Sequence, residues 1–155
     1  MRSVYTFLAA ALSLAPAARS YTLEGHGALV VSDITGSDIL GYLNTDGKWA
    51  DEDPVAFNGG STLMFNGQYK WLIVNDQGTI TTDEHGPDGT YWEALTHNRA
   101  GEPTFIIATD LSGEGVYGGP FWYASAVPVG SEAVALSSEP FDGAQNVTLT
   151  WFGLI

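Results

Sequence analysis

The chain of 155 residues has no cysteine, five Lys and Arg against 18 Asp and Glu, and three histidines. The first absence excludes disulfides, a thiol nucleophile, Cys-ligated zinc and iron–sulfur clusters. The scarcity of cations makes a phosphate backbone a poor partner, so no nucleic-acid binding is expected. No apolar run approaches the roughly 18 residues that suggest a membrane span, and no Gly-x-Ser-x-Gly nucleophile elbow occurs. What is present is apolar and aromatic: 45% of residues are hydrophobic, 12% are aromatic, and 19 are glycine. That is too much apolar surface for a disordered acidic tail, so a folded domain with an acidic exterior is expected.

Residues 1–20 read as a secretory signal peptide. Arg2 gives a positive start, residues 4–15 are rich in Leu and Ala, and small residues at 16–20 allow cleavage after Ala18 or Ser20. The competing reading is a buried amphipathic helix. Removal of this segment leaves three cations, Lys48, Lys70 and Arg99, against the same 18 carboxylates. The remaining residues, 21–155, form a single domain large enough to hold a core without disulfides.

Within that domain no window keeps an apolar period of 3.6 residues. Apolar residues instead come in short β-branched or aromatic blocks separated by Gly, Asn, Asp and Pro. Strands are predicted at 28–31, 39–44, 55–57, 62–65, 69–74, 79–82, 91–94, 104–108, 121–127, 133–136 and 147–152. Asp46-Gly47, Asn66-Gly67, Asp76-Gln77-Gly78 and Asp88-Gly89 are turn signals. The spacing leaves no room for helical crossovers. The expectation is therefore all-β, an antiparallel sandwich or barrel in one compact domain. A helical turn at 131–136 is the one alternative to strand.

Gly41-Tyr42-Leu43, Gly47-Lys48-Trp49, Val55-Ala56-Phe57 and Gly78-Thr79-Ile80 together form a pattern over residues 41–80. It resembles the β-rich C-terminal domain of fungal ribonuclease T2-like proteins, here without the nuclease domain. That family often carries cysteines near the alanine-aromatic strand and after the later glycine turn, where this chain has Val55 and Ile80. Packing has to replace a cross-link there. The resemblance implies a secreted fungal protein and a domain that accompanies catalysis rather than performing it.

The nuclease chemistry of such proteins needs positioned histidines. His26 lies in Glu24-Gly25-His26-Gly27 and His85 in an acidic turn, and neither context fits a general base. Exposed turn histidines are expected, and no catalytic residue is assigned. Carboxylates offer other chemistry. Asp46, Asp51, Glu52 and Asp53 share one loop, and Asp83, Glu84 and Asp88 another. Calcium ligation, a glycosidase pair and plain solvated loops all remain open, and no metal or cofactor is assigned. The glycine-rich run at 113–120 lacks the basic residue and helix of a phosphate cradle and reads as a long flexible connection.

Aromatic residues carry the binding hypothesis. Trp49, Tyr69, Tyr91 and Trp92 are the candidate ligand-binding residues, since strand alternation sends neighbours such as Tyr91 and Trp92 to opposite faces. Core filling is the competing role for Trp71, Trp92, Trp122 and Trp151. Asn146-Val147-Thr148 is the chain's sole glycosylation sequon, with Asn146, Thr148 and Thr150 expected outward and Val147, Leu149 and Trp151 inward. The resulting expectation is a secreted, extracellular or cell-wall protein that binds polysaccharide or an extracellular protein without catalysis. A carboxylate-dependent hydrolase and a small effector acting on a protein partner are the alternatives.

Overall fold

The computed structural model describes residues 21–52, 54–95, 104–110 and 115–153. Among them every regular element is a strand, and the sheets are antiparallel throughout. In chain order these are β1 (Tyr21–Thr22), β2 (His26–Ser32), β3 (Ile39–Leu43), β4 (Trp49–Ala50), β5 (Phe57–Asn58), β6 (Leu63–Phe65) and β7 (Trp71–Val74). There follow β8 (Ile80–Asp83), β9 (Tyr91–Ala94), β10 (Ile106–Thr109), β11 (Val116–Gly118), β12 (Phe121–Ala124) and β13 (Gln145–Gly153).

A four-stranded sheet runs β1-β9-β10-β11. The larger sheet of nine strands runs β12-β13-β2-β5-β6-β7-β8, with β3 and β4 branching from β2. The branch exists because β2 changes partner along its length: Val30 to Ser32 pair with β3, whereas His26 and Gly27 pair with β5. β13 does the same on its far side, pairing with β12 through Thr148 and touching Phe105 at Thr150. The architecture is a sandwich and not a closed barrel.

Inward faces of both sheets meet in one core. Leu29, Val31, Leu43, Trp49, Phe57, Leu72, Trp122, Leu149 and Trp151 come from the large sheet, and Trp92, Ala94, Ile106 and Ala108 from the small one. Trp92 joins the two layers, its ring 6.0 Å from that of Trp122 and its Nε1–H donating to the Leu72 carbonyl at 2.9 Å. Ile80 lies in this core and Val55 packs against it, so apolar contact fills both positions.

Two turns share one hydrogen-bond pattern. The Gly47 amide donates to the Asn44 carbonyl, and the Asn44 Oδ1 accepts the Asp46 and Lys48 amides. Likewise Gly78 donates to the Asn75 carbonyl, while Asn75 Oδ1 accepts Gln77 and Thr79. Gly47 and Gly78 have φ of 73° and 75°, the left-handed region in which a side chain is penalised.

Three expectations change. Residues 133–136 form neither strand nor helix. Residues 134–138 are a strap held by isolated bridges, Val134 to Trp49 and Ser137 to both Thr79 and Tyr123. Val116–Gly118, within the run expected to be a flexible connection, is instead β11, because its backbone finds the edge of β10. Finally, the strand expected at 121–127 ends at Ala124, where β13 runs out of partners at Gln145.

Candidate functional site

Of the four candidate aromatics, two are removed by burial. Trp49 is 1% exposed, and Trp92 is fully buried. Both point inward and satisfy their indole N–H internally, Trp49 on the Leu40 carbonyl and Trp92 on that of Leu72, so neither can meet a ligand. Tyr69, at the turn between β6 and β7, is 84% exposed, and Tyr91 is half-buried on the face opposite Trp92. Trp71 is also half-buried, while Trp122 and Trp151 belong to the core.

Asn146 is exposed at the start of β13, in register with Tyr123. Val147, Leu149 and Trp151 point into the core as the alternation requires. Thr148 differs from expectation by being fully buried: its hydroxyl donates to the Asp33 carbonyl at 2.7 Å beneath the loop that follows β2.

Among the described residues no group of three or more His, Asp and Glu side chains could hold an ion. Asp51 and Glu52 are exposed, Asp46 lies 4.0 Å from Lys70, and Asp83 Oδ1 accepts the His85 amide. Asp53 lies outside the described residues. His26 is exposed but begins β2 rather than sitting in a turn, His85 is exposed in its turn, and His97 falls outside the described residues.

An open groove of about 640 Å³ lies between the two sheets' margins, a volume typical of small-ligand sites. The β7–β8 turn supplies Asn75, Asp76, Gln77 and Gly78, the loop before β9 supplies Asp88, the edge strand β11 supplies Val116 and Tyr117, and the strap's end supplies Ser138 and Glu139. Val116 and Tyr117 are 44% and 40% exposed, so an aliphatic side chain and a phenol ring stand at the rim. Asp76, Asp88 and Glu139 are exposed carboxylates.

Backbone geometry fixes these groups. Asp88 has φ of 45°, a conformation that Asp tolerates better than most residues, and the following turn is closed by the Thr90 amide on the Pro87 carbonyl. Ser138 is wedged between Gly78 and Gly118. A Cβ on Gly78 would strike the Ser138 hydroxyl, and one on Gly118 would strike Ser138 Cβ and the Trp122 ring. Glycine at both positions therefore makes room for the serine.

Sequence reading located the turns at 76–78 and 88–89 and the acidic character of the second, but it missed Tyr117, Ser138 and Glu139. The available signal was Tyr117 among glycines, an aromatic side chain with little local bulk around it. No helix among the described residues is long and apolar enough to cross a membrane. No family model matches the chain, and neither does any curated protein or solved structure.

Proposed function

We propose that this is a secreted, non-catalytic β domain that binds polysaccharide at the cell wall or in the extracellular matrix. The observation that carries the reading is the groove, where the Tyr117 ring and Val116 stand beside Asn75, Asp76, Gln77, Asp88 and Ser138. A sugar ring has an apolar face and a polar perimeter, and this combination of groups matches both. The leader-like residues 1–20 and the resemblance to the accessory domain of ribonuclease T2-like proteins support the compartment and the non-catalytic role.

A second reading, a carboxylate-dependent hydrolase, draws on Asp76, Asp88 and Glu139 lining the same groove. Against it stands their exposure, which leaves all three open to water instead of enclosing the reacting groups in a water-excluded site. Pull-down on a panel of insoluble polysaccharides separates the readings. Binding without release of reducing sugar, weakened about tenfold by Tyr117→Ala, is the expected result. Release of reducing sugar would establish the hydrolase instead. Absence of both would leave the groove without a glycan and favour a protein partner.

A further inference from the structure

We propose that Asn66 is a self-modification site, where the folded chain converts its own side-chain amide to aspartate and isoaspartate while the other Asn-Gly pair, Asn58-Gly59, is protected. The site lies at the end of β7 opposite the β7–β8 turn that lines the groove, so the inference is independent of the groove's ligand.

The chemistry needs an Asn carboxamide and the amide nitrogen of the next residue, with room for the two to meet. The Gly67 nitrogen gives up its proton to solvent base and attacks Asn66 Cγ. The tetrahedral intermediate expels ammonia and leaves a succinimide ring. Water then opens the ring at the former side-chain carbonyl, giving Asp, or at the main-chain carbonyl, giving isoaspartate with one more carbon in the backbone. Water is the sole co-reactant, and nothing is oxidised or reduced. Glycine favours the attack because it has no side chain to obstruct the approach and the backbone can turn freely.

The same dipeptide occurs twice in the chain, and the fold treats the two copies differently. Asn66 to Tyr69 are all exposed at the tip of the β6–β7 hairpin. The Asn66 amide donates to the Ala56 carbonyl and the Gln68 amide to that of Phe65. Between them the Gly67 amide makes no hydrogen bond among the described residues, and the space about its α-carbon is open to 4 Å. The Asn66 carboxamide is likewise uncommitted, whereas Asn44 and Asn75 spend theirs on capping their own turns. At the second pair every condition is reversed. Asn58 lies in β5 with its Oδ1 buried, the Gly59 amide is held by the Gly25 carbonyl at 2.7 Å, and the Leu23 and Gly25 carbonyls crowd the Gly59 α-carbon. Reaction there requires β5 to open first, whereas an exposed turn needs little or no opening. Conversion at Asn66 adds one negative charge to a chain whose formal net charge is −13.

The test incubates the full chain in mildly alkaline buffer, folded and in guanidinium chloride, until half of Asn66 in the unfolded sample has reacted. Trypsin cleavage after Lys48 and Lys70 yields one peptide holding both sites, and tandem mass spectrometry assigns the amide-to-acid mass gain to Asn58 or Asn66. In the unfolded sample the two should react at comparable rates. In the folded one Asn66 should remain within about tenfold of its unfolded rate and react at least about tenfold faster than Asn58, the ratio that about 1.4 kcal/mol of local opening produces. Its rate should rise with pH, because the attacking amide must lose its proton. Asn66→Gln, an exposed substitution, should remove the acidic species that accumulates on isoelectric focusing. Equal rates at Asn58 and Asn66 in the folded chain would overturn the inference, as would an Asn66 protected by folding as strongly as Asn58.

Discussion

Tyr69 is 84% exposed and Trp49 only 1%, although both are aromatic and both sit beside glycine turns in the sequence. The difference is set by partners far along the chain. Trp49 faces Leu43 across a hairpin and is bridged to Val134, whereas Tyr69 lies beyond the last pair of the β6–β7 ladder. Alternation can say that Tyr91 and Trp92 take opposite faces, but it cannot say which face meets a second sheet. Where one face is already known to be buried, single residues become predictable. Val147, Leu149 and Trp151 are such a case, and Asn146, exposed beside them, follows from the same alternation. Expression in a eukaryotic host should therefore yield protein whose mass falls on endoglycosidase treatment, and Asn146→Gln should abolish the shift. An unchanged mass in the parent would show that the chain does not reach the glycosylation machinery or folds before it can be modified.

At the scale of elements, the legible parts are those governed by local chemistry. The Asn66-Gly67 hairpin forms as expected, with Leu63 opposite Leu72 and Met64 opposite Trp71. Both Asn-x-x-Gly turns form because an Asn side chain caps two amides of its own turn. β11 was hidden because Gly118 lowers strand propensity. That glycine is required by the Trp122 and Ser138 side chains, which occupy the space a Cβ would need. The groove was unreadable for a different reason: its walls come from four segments that only the sheet topology brings together. β13 shows the opposite situation, a long terminal strand whose pattern is sufficient. Its Trp151 lies flat against Gly27, where an added Cβ would penetrate the indole ring, and is 8% exposed. Trp151→Ala should cost about 3–5 kcal/mol in urea unfolding. Gly27→Ala, which adds a methyl group to the same contact, should also destabilise, by about 1–3 kcal/mol. A shift below about 0.5 kcal/mol for Trp151→Ala would mean that the end of β13 contributes nothing to the core.

For the whole molecule, the absence of disulfides and the charge excess act together. The core must hold against the self-repulsion of a formal net charge of −13, without a covalent constraint on the unfolded state. The limits in pH are then set by groups whose folded environment differs from water. On the acid side, the Thr35 hydroxyl, followed by the Asp38 and Ser37 amides, holds the Asp33 carboxyl below its ordinary value. Its contribution is present above that value and is lost as pH falls through the lowered one. On the alkaline side, burial pushes the Tyr123 phenol above its ordinary value of 10.0. The unfolded chain then ionises this tyrosine before the folded one does, so stability is intact below about pH 10 and falls as pH rises towards the folded value. Two effects coincide there, because the net negative charge, and with it the self-repulsion, also grows as pH rises. Salt distinguishes them, since it screens repulsion between exposed charges but does little for the desolvation of a buried phenol. Tyr123→Phe should therefore keep its stability to higher pH than the parent, and the difference should survive added salt. Alkaline unfolding followed by tyrosinate absorbance and circular dichroism measures both. Superimposable pH profiles for parent and variant would assign the alkaline limit to net charge alone.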